Sequence, residues 1–108
     1  MTEIDPLLSV AFIQHNAAKF SQAKADRTFI ENYLKTVKSR LMNQSDCKSL
    51  GDREAYAYAS NDYVEQLRGL KVAIEEEERI KWLMTAAQAK IEVWKTLEYT
   101  KRAEMKNL

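Results

Sequence analysis

Four successive glutamates, Glu75-Glu76-Glu77-Glu78, a single histidine, His15, and a single cysteine, Cys47, are the side chains whose chemistry first needs weighing. Carboxylates on consecutive residues point about 100° apart around a helix, so only Glu75 and Glu78 share a face. Arg79 and Lys81 follow at once, and the run reads as solvated helix surface and a register device rather than a cation site. His15 has no second histidine or cysteine at ligand spacing, so it builds no transition-metal site. Cys47 stands beside Lys48, which favours a thiolate, yet no histidine is placed to act as its base. No phosphate-loop, dinucleotide, nucleophile-elbow or zinc spacing occurs. The expectation is a non-enzymatic protein that uses no metal and no cofactor.

Binding chemistry is concentrated elsewhere. Lys35, Lys38, Arg40, Lys48, Arg53, Arg68 and Lys71 fall near Tyr56, Tyr58 and Tyr63 if the chain folds back at its middle. Cations interleaved with aromatics can hold single-stranded DNA through phosphate contacts and base stacking. Asp46, Asp52, Glu54, Asp62 and Glu65 lie in the same stretch and leave it a net charge of only about +2. Tyrosines that close the end of a core, with solvating charges around them, account for the same residues. A further basic group, Lys95, Lys101, Arg102 and Lys106, suits a helix C-terminus.

The elements that must position these residues are long helices. The chain has 108 residues with two glycines and one proline, which leaves little material for strands or tight turns and bounds it to one domain, residues 1–108. Asp5-Pro6 is a helix start, because the carboxylate caps free N–H groups and proline at the first position loses no hydrogen bond. The apolar set Val10, Ile13, Ala17, Phe20, Ile30, Leu34, Val37 and Leu41 predicts a helix over 6–43. Turn-forming residues from Gln44 to Gly51 end it, and the tip, 44–60, contains a short helix at 52–59. Ser60-Asn61-Asp62 supplies the cap of a last helix over 62–105, whose stripe is Tyr63, Leu67, Leu70, Ile74, Ile80, Leu83, Met84, Ala87, Ile91 and Trp94.

Two such rods joined by a compact tip predict an all-α fold, a long antiparallel helical hairpin of coiled-coil type. Pairing residue i with 104 minus i brings apolar side chains together along both rods and sets Lys24 and Arg27 against the glutamate run as a polar layer. Phe12, Phe29, Tyr33, Trp82 and Val93 lie off this stripe and predict an oligomer interface, two hairpins forming a homodimeric four-helix bundle. No apolar run approaches the ~20 residues needed to span a bilayer. The N-terminus has no secretory pattern, and the lone cysteine suits a reducing cytoplasm.

Arg53-Glu54-Ala55-Tyr56-Ala57, Tyr63 through Leu70, Ala73 to Glu78, and Ala86 to Trp94-Lys95-Thr96 resemble a family of small, largely uncharacterised helical proteins of tailed bacteriophages. The likeness covers roughly residues 20–100. It implies a phage origin, action in the host cytoplasm and a role among early functions of DNA recombination and replication, with no catalytic residue. The resulting expectation is an accessory protein that acts by protein–protein contact, with itself and with a phage recombination protein or a host protein. Direct binding of single-stranded DNA and inhibition of a host or anti-phage defence protein are the alternatives.

Overall fold

The protein, seen in a computed structural model that describes residues 3–107, is all-α. Helix α1 spans Pro6–Gln44, α2 spans Leu50–Ala59 and α3 spans Asn61–Lys106. The start of α1 is the expected one: Asp5 Oδ1 accepts from the N–H of Leu7 at 2.9 Å, and Pro6 takes the first helical position. Helix α2 begins two residues earlier than expected, because Ser49 is extended and its Oγ accepts from the Asp52 N–H at 3.1 Å. One residue, Ser60, then separates α2 from α3. Its N–H donates to the Ala57 carbonyl, its Oγ donates to the Tyr56 carbonyl at 2.7 Å, and its own carbonyl accepts from Val64 N–H. Ser60, the first residue of the expected Ser60-Asn61-Asp62 cap, is therefore the joint that ends one helix and opens the next.

The chain forms two compact units, one of Gln22–Glu77 and one of Met1–Ser21 with Glu78–Leu108. In Gln22–Glu77, Val37, Leu41 and Ala57 make a buried cluster against which Tyr33, Met42 and Tyr63 pack. Ala57 is wholly buried, and its single methyl lets the short helix lie close against the two long ones. In both units the buried and half-buried residues include a row with a strict alternation of three and four. Along α1 it reads Ser9, Ile13, Asn16, Phe20, Ala23, Arg27, Ile30, Leu34, Val37 and Leu41. Along α3 it reads Tyr63, Gln66, Leu70, Ala73, Glu77, Ile80, Met84, Ala87, Ile91, Trp94 and Glu98. This is a heptad seam, positions a and d of a coiled coil, with a at Arg27 and Glu77.

The seam differs from the apolar stripe expected from sequence. Val10, Ala17, Leu67, Ile74 and Leu83 are exposed, at 43% for Leu67 and 39% for Ile74. Ser9, Asn16, Gln66 and Ala73 occupy the inward positions instead. The alternation after Tyr63 begins with three rather than four, so Gln66 and Ala73 turn inward in place of Leu67 and Ile74, while Leu70, Ile80, Met84, Ala87, Ile91 and Trp94 lie inward as expected. A coiled-coil seam keeps its phase through polar and small residues, whereas an apolar pattern steps aside to the nearest large side chain.

Residues 23–30 share a groove with residues 69–76, and residues 8–12 share another with 83–90. These flank residues lie a helical turn or more from the pairing of i with 104 minus i, whereas Arg27 and Glu77, joined by hydrogen bonds, keep it. Unfolding by urea is the check on the seam: Leu34→Ala costs about 2–5 kcal/mol, Ile74→Ala about 1 kcal/mol or less, and Lys19→Ala no more than about 0.5 kcal/mol.

Candidate interaction surfaces

The charge pair of the seam is half-buried Arg27 with buried Glu77. Arg27 Nε donates to Glu77 Oε2, Nη2 donates to Oε1 at 3.3 Å, and Nη1 reaches Glu31 Oε1 at 2.7 Å. Hydrogen bonding to Glu77, and then to Glu31, holds the guanidinium above its ordinary pKa. Glu77 is buried while Glu75, Glu76 and Glu78 are exposed, so the glutamate run sends one carboxylate inward, as its angular spread requires. Lys24, expected in the same layer, is exposed at position e. The two long side chains meet because each can reach a turn along its neighbour. Among the described residues no buried side-chain nitrogen or oxygen lacks a hydrogen-bond partner.

At the tip the expected cations are placed against partners within the chain. Lys38 Nζ lies 4.8 Å from the Tyr58 ring centroid and 3.7 Å from Glu54. The hydrogen bond to Tyr58, then the field of Glu54, raise the Lys38 pKa. Its contribution is therefore complete below the unfolded value near 10.5 and is lost as pH rises through the higher folded value. Arg40 pairs with Asp62 and Arg68 with Glu65, both at 3.7 Å, and Arg53 Nε donates to the Cys47 carbonyl at 2.8 Å. Tyr58 meets Tyr63 edge-to-face with centroids 5.2 Å apart. Tyr56, Lys35, Lys48 and Lys71 are exposed, the two lysines of the long helices at outward b positions. The tip brings Lys38, Tyr58 and Tyr63 together and leaves Lys35 and Lys71 outside that group.

The large apolar residues off the seam follow heptad positions too. Phe12 and Tyr33 are at g of α1 and Phe29 is at c, while Val93 is at c of α3. Phe29 stacks on Tyr33, with ring centroids 5.9 Å apart. Trp82 is at the outward f position, where Nε1 donates to Glu78 Oε2 at 2.9 Å and Lys81 lies 5.6 Å over its ring. Sequence reading passed over Leu8, Val72 and Leu97 and assigned Leu83 to the inward stripe. Leu8 and Val72 are at c, Leu83 and Leu97 at g, and all four are exposed. The c/g rule would have found them once the heptad phase was known.

His15 is exposed with Nε2 3.5 Å from Lys19 Nζ, and Cys47 is half-buried in the α1–α2 connection. Among the described residues no three His, Cys, Asp or Glu side chains gather as a metal site. No helix there is long and apolar enough to cross a membrane. Comparison with protein-family models, curated proteins and solved structures gave no match to this chain.

The ion pair yields a double-mutant test. Arg27→Leu and Glu77→Leu each lower the melting temperature, because each removes the two hydrogen bonds that join the guanidinium to the carboxylate in the seam. The double leucine variant melts at or above the wild-type temperature. Two neutral single variants would mean that the pair is solvated.

Proposed function

We propose that the protein works by protein–protein contact and is not an enzyme, and that its first partner is another copy of itself. The observation that carries this reading is surface. Phe29, at 67% exposure, and Val72, at 64%, line one groove within Gln22–Glu77, and exposed large apolar side chains grouped in this way mark a contact site. The wider role, an accessory function in phage DNA recombination or replication exercised in the host cytoplasm, rests on the resemblance of residues alone.

Engagement of Lys38, Arg40, Arg53 and Arg68 by groups of the same chain supports contact over direct binding of single-stranded DNA at the tip. Light scattering at micromolar concentration tests the reading, with a dimer mass expected. A monomer with a sharp thermal transition contradicts it. Anisotropy of a labelled oligonucleotide tests the alternative, and no salt-sensitive binding is expected at low ionic strength.

A further inference from the structure

Within Gln22–Glu77 the c and g positions of the two long helices form one flank, and the g residues of the facing helices oppose each other as three rungs. Asp26 and Glu76 line one groove together, and Arg40 Nη2 meets Asp62 Oδ2 at 3.7 Å. Tyr33 and Gly69 make the middle rung, one heptad from each of the others. The flank therefore has an acidic end, an apolar middle that includes Phe29 and Val72, and a far end where the cation Arg40 stands. Asp26 accepts from Gln22 Nε2 at 2.9 Å, a neutral donor that leaves the carboxylate its charge. Gly69 has no cause inside the chain. It lies in mid-helix, where glycine costs stability, its φ is not positive, and a Cβ there would meet nothing within 4 Å. Glycine at such a place suits the close approach of another backbone.

We propose that a second copy of this chain covers this flank with its own, about a two-fold axis that passes through the middle rung, Tyr33 and Gly69. Helix α3 crosses its counterpart at Gly69, where the missing side chain lets the two backbones come together, and Phe29 and Val72 of each copy are covered by the other. This rests on the self-association proposed above and adds to it which residues meet, all of them within Gln22–Glu77. A two-fold axis can lay the flank on its copy in two ways. An axis along the helices sets the acidic end on the acidic end, with Asp26 against Glu76 twice. An axis across the helices turns the copy end for end, because 26 and 40 are equidistant from 33, as 62 and 76 are from 69. Arg40 then stands between Asp62 of its own chain and Asp26 of the second copy, and Asp62 arrives already paired. Charge thus selects the end-for-end arrangement.

A residue on a two-fold axis meets its own counterpart, so single cysteines read where the axis lies. In a Cys47→Ser background, Gly69→Cys and Glu76→Cys, both exposed positions on the flank, are oxidised mildly and scored as covalent dimer by non-reducing electrophoresis. Gly69→Cys cross-links efficiently. Glu76→Cys gives little product, because the end-for-end arrangement carries residue 76 about 20 Å along the helix from its counterpart. Gly69→Leu fills the crossing point and raises the dimer dissociation constant about tenfold or more in analytical ultracentrifugation. Its helical circular dichroism is unchanged, since within the chain the new side chain starts into open space. A wild-type dimer in which Gly69→Cys cross-links no better than Glu76→Cys, or which Gly69→Leu leaves as tight, overturns this arrangement while leaving self-association standing. A wild-type monomer overturns both.

Discussion

A two-stranded seam hides two side chains in every seven, and the rest of this structure follows from that limit. Positions a and d of α1 and α3 are the ones shielded by the facing helix, so the core within each unit is modest in depth. Val37 is 1% exposed, the most completely buried large side chain among the described residues, and it lies where α2 adds a third helix to the pair. Away from the tip, burial is distributed in small amounts along the rods. The apolar residues at c and g are the consequence. A chain of this composition has more apolar side chains than one seam can cover, and the surplus stands outside it, at c and g and also at e, where Val10, Leu67 and Ile74 are exposed.

Polar residues inside the seam limit how the helices can pair. An uninterrupted apolar row would allow neighbouring registers to pack almost equally well. Arg27 and Glu77 remove that freedom, since a slip of one turn separates two charges that are otherwise joined by two hydrogen bonds. Ala23 and Ala73 belong to the same stretch of seam, and their small side chains leave room for the guanidinium and the carboxylate. The polar layer thus contributes specificity of register in a place where larger apolar residues would have contributed burial.

Much of this was legible in the sequence. Asp5-Pro6 located the first helix start, the paucity of glycine and proline implied long helices, and the glutamate run opposite Arg27 announced the polar layer. The phase of the seam was hidden because Leu67 and Ile74 are better apolar candidates than Gln66 and Ala73, which lie inward. Hydrophobic spacing selects the largest side chain in reach, while the packed helices select a geometric position. The flank was legible only in part for the same reason. Phe12, Phe29, Tyr33 and Val93 stood out by size, yet their shared c/g identity requires the seam phase. Trp82 stood out equally and belongs to position f. The cap between α2 and α3 was legible as Ser60-Asn61-Asp62, though composition does not single out Ser60 among three residues that all cap well.

The central claim is the register and phase of this seam, and disulfide trapping reads it directly. In a Cys47→Ser background, cysteines are placed at Ile30 with Leu70, a pair about one turn from the apolar pairing, and at Ile30 with Ile74, the pair that apolar spacing favours. Mild oxidation followed by non-reducing electrophoresis scores the intramolecular product. The seam described here predicts efficient cross-linking of Ile30→Cys/Leu70→Cys and little of Ile30→Cys/Ile74→Cys. The reverse order would show that Ile74, and not its neighbours at a and d, lies between the helices, and the heptad assignment would fall with it.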